Sequence, residues 1–212
     1  MSDTSVNEKR MNERPLKVVL IDNRDSFTFN LVDELNRLEC EILTYQNYAS
    51  VETITELYES GEMDMLLISP GPGNPDTAGC CLDVVKELMG KVTIAGICLG
   101  HQIIVQALGG SIGQFAAVVH GKSSLVTHDA TGIFAGLNSP MKVARYHSLS
   151  ARDVPAELTV TAMSDDVPMA VASEGLGLYG LQFHPESILT VAGQQLLQNL
   201  VNSARDFKRK EA

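Results

Sequence analysis

Short apolar runs alternate with helical patterns over the first two-thirds of the chain, and this alternation restricts the possible folds. Continuous apolar runs are typical of strands buried on both faces of a parallel sheet. Such a run predicts a strand at residues 16–21, and further strands are expected at residues 41–45, 65–68 and 92–97. Because such strands are joined by right-handed crossovers, the sequence predicts an α/β fold with a doubly wound, mostly parallel sheet flanked by helices.

Helical patterns fill the segments between these strands. The first helix is expected after Asp25 or Ser26, either of which can cap it. Its apolar side chains are Phe29, Leu31, Val32, Leu35 and Leu38. Two more helices are predicted at about residues 51–60 and 82–89, and another begins near residue 103.

Beyond Gly110 the pattern changes to short strands separated by glycines and polar turns, which predicts an antiparallel addition. These strands are expected at residues 117–119, 124–127, 142–145, 158–162, 169–172 and 179–183. A final helix is predicted at about residues 191–204. Since no repeat or linker divides the chain, we expect one domain at residues 16–207. A disordered N-terminal extension at 1–15 precedes it, and a basic tail at 208–212 follows it.

The composition excludes several classes of function. The chain has 212 residues and a net charge of −10 at pH 7, which argues against nucleic acids and anionic membranes as partners. No apolar stretch reaches the roughly 18 residues of a membrane-spanning helix, and residues 1–15 lack the apolar centre of a signal peptide. The four cysteines form neither a disulfide framework nor a metal-binding pattern. We therefore expect a reduced, cytoplasmic protein with no metal or cofactor of its own.

A candidate nucleophile follows the fourth apolar run, where Gly96-Ile-Cys98-Leu-Gly100 precedes a helical pattern. This is the cysteine counterpart of the nucleophile elbow, a sharp strand-to-helix turn that lifts one side chain above the sheet edge. Gly96 and Gly100 lack the Cβ atoms that would crowd such a turn. The helix N-terminus favours a thiolate, so the motif predicts covalent catalysis by Cys98.

The segment Gln182-Phe-His-Pro-Glu186 supplies a candidate base and a carboxylate. Residues two apart in an extended chain face the same way, so His184 and Glu186 can lie close together. A histidine near Cys98 would act as a base toward the thiol and as an acid toward a leaving amine, while the carboxylate would fix its tautomer. Alone, a His-Pro-Glu segment is more often a structural turn. A catalytic role is better supported here because the same chain contains the cysteine elbow.

Other histidines and cysteines have less specific signals. His147 is a competing candidate for the base, although no carboxylate follows it closely. Backbone groups near Ser148 and Leu149 are candidates for holding an extended polar substrate. A structural role is the default interpretation of His101, His120 and His128. Cys80 and Cys81 fall in a helical pattern and are expected to be packed.

A rigid loop, Ser69-Pro-Gly-Pro-Gly-Asn-Pro75, follows the third predicted strand. Its prolines fix φ and its glycines permit unusual backbone angles. The N–H groups of Gly73 and Leu99 could form an oxyanion hole, while an ordinary β-to-α turn is the alternative. The loop lacks the Lys-Ser or Lys-Thr pair of a phosphate-binding loop. Because strand C-termini meet at the ligand crevice of such sheets, we expect this loop to lie near Cys98.

In this order and at these separations, the Ser-Pro-Gly-Pro-Gly, Gly-Ile-Cys-Leu-Gly-His-Gln and Gln-Phe-His-Pro-Glu-Ser motifs resemble those of class I (triad-type) glutamine amidotransferases. The resemblance implies a flavodoxin-like fold, with Cys98 as nucleophile, His184 as acid/base and Glu186 as the orienting carboxylate. It also implies that glutamine is held by the loop residues Gly71, Pro72 and Gly73, the Gln102 side chain, and the backbone of Ser148 and Leu149. The implied reaction hydrolyses glutamine through a γ-glutamyl thioester and passes ammonia to a synthase partner.

Within the family, four segments are similar to the chorismate-using branch: residues 22–30, 120–122, 144–149 and 184–190. Segments 71–75 and 133–137 are more similar to the small subunit of anthranilate synthase, which serves tryptophan biosynthesis. The resemblance implies a hetero-oligomer with an anthranilate synthase large subunit that binds chorismate and a magnesium ion. The alternative is the small subunit of aminodeoxychorismate synthase in folate biosynthesis, or a subunit that serves both.

Two further classes of function are compatible with the fold. One is a non-catalytic interaction module, against which the presence of Cys98, His184 and Glu186 argues. The other is a cysteine peptidase on a similar sheet, which the glutamine-site residues make the weaker interpretation.

Overall fold

The computed structural model describes residues 14–114 and 122–211, which form a nine-stranded sheet and a separate two-stranded sheet. The strands in chain order are β1 Lys17–Asp22, β2 Glu41–Gln46, β3 Met65–Ile68, β4 Thr93–Ile97, β5 Ser111–Gln114, β6 Lys122–His128, β7 Met141–Arg145, β8 Leu149–Asp153, β9 Thr159–Ser164, β10 Val167–Ser173 and β11 Leu178–Leu181. The α-helices are α1 Thr28–Arg37, α2 Val51–Glu59, α3 Cys81–Leu88, α4 Leu99–Ala107 and α5 Gly193–Glu211.

The large sheet has the strand order β2-β1-β3-β4-β11-β10-β9-β6-β7. Its first five strands are parallel, and the pairs from β11 to β7 are antiparallel. The predicted α/β fold with an antiparallel addition in the second half is therefore confirmed. The insertion of β11 beside β4 brings the C-terminal part of the chain against the central strands.

Side chains of the parallel strands alternate between two hydrophobic cores, one on each face of the sheet. On β1, Val18 and Leu20 belong to the core that includes α1 and α5, while Val19 and Ile21 belong to the core that includes α2, α3 and α4. This period of two follows from the pleat of a strand. Both faces of β3 and β4 are covered, which is why their sequences are almost entirely apolar, whereas the edge strand β2 is partly exposed and carries polar residues.

Helix α1 begins differently from the prediction. Its N-cap residue is Phe27, and no side chain caps it, so the expectation that Asp25 or Ser26 caps the helix is wrong. The Asp25 carboxylate instead accepts a hydrogen bond from the Phe27 N–H at 2.8 Å, in a turn that precedes the helix. Phe29 is 76% exposed rather than packed with Leu31 and the other apolar residues of α1.

The second half contains two strands that the sequence analysis missed. Strands β5 and β8 pair with each other in the small sheet. Their sequences, Ser-Ile-Gly-Gln and Leu-Ser-Ala-Arg-Asp, are rich in residues of low β-propensity, so pairing rather than local preference accounts for them. The strand predicted at residues 117–119 lies outside the described residues.

Helix α5 is longer than predicted, because contacts near its C-terminal end hold it against the domain. The Phe207 ring packs on Gly177, where an added Cβ would lie 3.0 Å from the ring, and Lys208 forms an ion pair with the buried Asp64. Burial opposes the charge of Asp64, but Lys208, the Lys17 N–H and Arg14 together lower its pKa. The helix thus continues through most of the predicted tail at 208–212. The predicted extension at 1–15 lies outside the described residues up to residue 13.

None of the helices in the described ranges has the length and apolarity needed to cross a bilayer.

The turn between β4 and α4 depends on two glycines. An added Cβ at Gly96 would lie 2.3 Å from the carbonyl carbon of Gly100, and one at Gly100 would lie 2.4 Å from the Ile68 carbonyl oxygen. Cys98 between them has φ 53° and ψ −96°, an uncommon conformation for a residue with a side chain. Helix α4 therefore starts directly against β3, and the strained residue is the candidate nucleophile.

We predict that Gly96→Ala destabilises the fold, because the new methyl group would overlap backbone atoms that cannot move independently. The free energy of unfolding should fall by about 1–3 kcal/mol, as for other overpacked positions. The matched control is Gly175→Ala, where an added Cβ meets no atom within 4 Å. Urea denaturation of both variants measures the difference, and equal stabilities would contradict the close approach.

Candidate active site

Parallel pairing of β4 with β11 brings the cysteine and histidine motifs to the same edge of the sheet. Ile97 is paired with Leu181, and the N–H of Cys98 donates to the Leu181 carbonyl at 2.7 Å. Cys98 and Gln182 therefore leave neighbouring strands at the same level, although 84 positions separate them in sequence. The site lies at the carboxyl ends of parallel strands, where ligands bind in open α/β sheets.

His184 and Glu186 form a buried pair just beyond β11. The Nδ1 atom of His184 donates to Oε1 of Glu186 at 2.6 Å, and the two side chains are 2% and 0% exposed. The backbone of His184 is fixed at both ends: its N–H donates to the Ala144 carbonyl at 3.2 Å, and its carbonyl accepts from the Thr190 hydroxyl at 2.7 Å. The carboxylate therefore holds the imidazole with Nε2 as its other proton site.

Two aromatic rings enclose the imidazole. The centroids of Phe27 and Tyr146 each lie 5.1 Å from that of His184, with Tyr146 edge-on at 88°. Phe27 and Tyr146 also contact each other, with centroids 5.1 Å apart. These contacts restrict rotation of the imidazole and exclude water from its faces.

The electrostatics of His184 favour its charged form. Burial opposes the charge, but interactions with Cys98 and with Glu186 outweigh burial and raise the pKa of His184 to about 10. Nε2 of His184 and Oε2 of Glu186 are buried and have no conventional hydrogen bond within the described residues. The imidazolium is thus available to give a proton to a group that enters beside Cys98.

His147, the competing base, is held by hydrogen bonds at both ring nitrogens. Burial, reinforced by the Arg145 charge, lowers the pKa of His147 to about 4. Its Nε2 accepts from Nε of Arg145 at 3.2 Å, which leaves Nδ1 to donate to the Leu149 carbonyl at 2.9 Å. Neither nitrogen is free to exchange a proton with Cys98, so the geometry favours His184 as the acid/base.

The remaining described histidines have no access to the site's chemistry. His101 is fully buried against Gly180, and burial lowers its pKa to about 4. His128 stacks on Phe134 at 4.5 Å, and its Nδ1 accepts from the Ala130 N–H at 3.1 Å. His120 lies outside the described residues.

Asn23 and Leu99 determine the position of the loop that begins at Ser69. The Asn23 amide donates to the Ser69 carbonyl at 3.0 Å, and the Ser69 hydroxyl accepts from the Asn23 N–H at 2.9 Å. An added Cβ at Gly71 would lie 2.4 Å from Cβ of Asn23 and 2.9 Å from Cδ2 of Leu99. The loop therefore reaches the first residue of α4, directly after Cys98.

Gly73 occupies the exposed end of this loop. Its φ of +84° favours glycine, and an added Cβ would lie 2.6 Å from the Thr77 hydroxyl. The Asn74 side chain accepts from the Asp76 N–H at 3.0 Å and caps the short 3-10 helix Pro75–Thr77. Pro72 and Gly73 are both exposed, so their backbone groups are open to a ligand.

A chain of side-chain amides runs through the site. Nε2 of Gln102 donates to the Leu149 carbonyl at 3.0 Å and to Oε1 of Gln182 at 3.3 Å. Nε2 of Gln182 in turn lies 3.7 Å from Sγ of Cys98. Gln102 and Leu149 are thereby brought together with Cys98, while Ser148 is exposed beside them.

Three residues that contact the candidate catalytic groups were not predicted from the sequence: Gln182, Phe27 and Tyr146. A signal for Gln182 was available, because Gln182, His184 and Glu186 are each two positions apart and so share a face in extended chain. Nothing in the sequence distinguishes Phe27 or Tyr146 from core aromatics. Within the part of the chain that the structure describes, no group of three or more His, Cys, Asp or Glu side chains could hold a metal ion.

The chain is similar to known proteins in sequence and in fold. The family model for glutamine amidotransferase class-I matches residues 19–204. Anthranilate synthase component 2 of Buchnera aphidicola subsp. Schizaphis graminum is 43% identical over 187 residues, which cover 88% of this chain and 95% of that protein. The bifunctional protein TrpGD of Thermotoga maritima is 41% identical over 191 residues, covering 88% of this chain and 32% of that protein. The crystal structure of a putative GMP synthase subunit from Thermoplasma acidophilum has a similar fold, with a TM-score of 0.83, 24% identity, and coverage of 94% of this chain and 99% of that one.

The pKa values predict that the buried histidines titrate in different pH ranges. In ¹H–¹³C NMR spectra of the full chain, His184 should remain protonated at about pH 8, whereas His101 and His147 should remain neutral at about pH 6. Glu186→Gln should lower the pKa of His184, because a neutral amide no longer stabilises the imidazolium. A His184 signal that titrates near the ordinary value of 6.5 would contradict the arrangement.

Proposed function

Because this chain belongs to the class-I glutamine amidotransferase family, we propose that it is the glutamine amidotransferase subunit of an anthranilate synthase. It hydrolyses glutamine and delivers ammonia to a chorismate-binding subunit in tryptophan biosynthesis. The observation that carries the proposal is the junction of β4 and β11, where the strained Cys98 meets the His184–Glu186 pair. The similarity to anthranilate synthase component 2 over 95% of that relative's length supports the choice of synthase.

The first half-reaction begins with Cys98 as thiolate and His184 as imidazolium, and the raised pKa of His184 favours its charged form. Sγ attacks the side-chain amide carbon of glutamine and forms a tetrahedral intermediate. The N–H groups of Gly73 and Leu99 stabilise its oxyanion. Nε2 of His184 gives its proton to the amide nitrogen, the C–N bond breaks, and ammonia leaves a γ-glutamyl thioester on Cys98.

The second half-reaction regenerates the enzyme. His184, now neutral, takes a proton from water, and the oxygen attacks the thioester carbon. The C–S bond breaks, the new carboxyl group loses its remaining proton to solvent as glutamate is released, and the thiolate–imidazolium pair is restored. Glu186 remains ionised throughout and keeps Nδ1 of His184 as the protonated nitrogen, as the carboxylate of a catalytic triad does.

Glutamine is held by groups from three segments. We assign to it the backbone of Gly71, Pro72 and Gly73, the Gln102 side chain, and the backbone around Ser148 and Leu149. The Leu149 carbonyl already accepts hydrogen bonds from Gln102 and His147. Ser148 and Leu149 therefore contribute mainly through their N–H groups, which are suited to a carboxylate.

The relatives' name, component 2, supports a second component as the consumer of ammonia. For this chain we propose the anthranilate synthase large subunit, which carries the chorismate site and a magnesium ion. The chain's own chemistry is confined to glutamine.

We predict that Cys98→Ala separates the two activities of the reconstituted complex. Glutamine-supported anthranilate formation should fall on the order of a thousandfold or more, because no thioester forms. Ammonia-supported formation should persist, since it depends on the partner. Cys80→Ala, which removes a half-buried thiol outside the site, is the matched control. Loss of both activities would show that Cys98 is structural.

We predict that the gene for this chain restores growth of a tryptophan auxotroph lacking the small subunit. A p-aminobenzoate auxotroph should not be restored if the chain serves anthranilate synthase alone. Growth of the p-aminobenzoate auxotroph only would assign the chain to aminodeoxychorismate synthase instead. Growth of both strains would identify a shared subunit.

A further inference from the structure

The amide chain at the site starts from a group whose role in hydrogen bonding is fixed. The Leu149 carbonyl can only accept, so the atom of Gln102 that faces it at 3.0 Å must be Nε2. The same Nε2 faces Gln182 at 3.3 Å, so the facing atom of Gln182 must be its oxygen. The Gln182 Nε2 is therefore the atom directed at Sγ of Cys98, at 3.7 Å. Each amide orientation follows from the preceding one.

The side chains of Gln102, Gln182 and Cys98, which form this hydrogen-bonded series, are all buried from solvent. Gln182 is 0% exposed, Gln102 is 3% exposed and Cys98 is 9% exposed. A buried amide keeps its hydrogen-bond partner, because water is not available to replace it. The donor-to-acceptor direction from Gln102 through Gln182 to Cys98 is thus a stable feature of the site.

We propose that Gln182 donates a hydrogen bond to the Cys98 thiolate and couples this sulfur to glutamine bound at Gln102. The inference rests on the proposed function and names a residue that acts on the reacting sulfur beside the Cys98–His184–Glu186 triad. A hydrogen bond to the charged form of a group favours that form, so the Gln182 amide stabilises the thiolate. It does so without adding a net charge that would compete with the His184 imidazolium.

The coupling arises from the polarity of the amide chain. Within the described residues, no hydrogen bond reaches Oε1 of Gln102, while both Gln102 bonds start at Nε2. A substrate N–H that donates to this Oε1 polarises the amide and strengthens its Nε2 as a donor to Gln182. Gln182 then becomes a stronger donor to Sγ, so glutamine binding itself favours the nucleophilic form.

The experiment compares Gln182→Met with Gln182→Glu, two variants of similar length. In the complex with the synthase subunit, Gln182→Met should lower the glutamine-dependent kcat by about tenfold or more, the effect of losing one hydrogen bond to a charged group. The pH at which iodoacetamide half-alkylates Cys98, followed by mass spectrometry of its peptide, should rise by about one unit. Gln182→Glu should raise that pH further, because it places a second negative charge beside the sulfur.

Binding affinity distinguishes this role from simple packing. In a Cys98→Ser background, Gln182→Met should change the Kd for glutamine, measured by calorimetry, by no more than about twofold, because Leu149 still holds Gln102. The matched control is Gln195→Met, on the exposed face of α5, which should change neither quantity. The other ionisable groups of the site, His184 with Glu186 and His147 with Arg145, are the same in all variants, as is the buried His101.

Two results would overturn the inference. One is an unchanged alkylation pH in Gln182→Met, and the other is a loss of affinity that accounts for the whole loss of turnover. If the unsubstituted complex fails to hydrolyse glutamine while the alkylation pH still shifts, the proposed function fails and the role of Gln182 at the sulfur stands.

Discussion

The parallel pairing of β4 with β11 is the constraint on which the rest of the site depends. It places the strand that ends at Cys98 beside the strand that leads into Gln182 and His184, across 84 positions of sequence. Strands β9 and β10 and the small sheet lie between these two motifs in the chain, so the second half of the fold returns one strand to the centre. The candidate nucleophile and the candidate acid/base then follow directly on two adjacent, hydrogen-bonded strands, and rigid elements of this kind hold a site more precisely than long loops would.

Three buried histidines, His101, His147 and His184, differ in whether their surroundings favour a positive charge. Burial alone keeps His101 neutral, and burial with a neighbouring guanidinium keeps His147 neutral. His184 is equally buried, yet its pKa is raised, because a carboxylate and a thiol face its two nitrogens. The same low-polarity environment that suppresses the first two charges strengthens the attraction that stabilises the third. Of these three rings, the one beside Cys98 is therefore the one on which a positive charge is favoured.

Much of this could be predicted because the parallel strands, the cysteine turn and the His-Pro-Glu segment are local patterns. Apolar runs, glycines at positions 96 and 100, and residues two apart in a strand each imply a geometry over a few residues. Strands β5 and β8 could not be predicted, since their sequences favour no strand and only mutual pairing forms them. The same holds for Phe27, Tyr146 and the donor role of Gln182, which depend on contacts between segments far apart in sequence.

The backbone at Cys98 stores strain that the surrounding structure must offset. Its positive φ costs on the order of 1–3 kcal/mol for a residue with a side chain, and nearby glycines remove the clashes that would add to this cost. The bond from the Cys98 N–H to the Leu181 carbonyl ties the strained residue to β11. The main chain therefore fixes the position of Sγ, and the surrounding side chains influence its charge. Neutral donors suit that task, since an ammonium group beside the sulfur would stabilise the thiolate but would also oppose the imidazolium that gives up the proton.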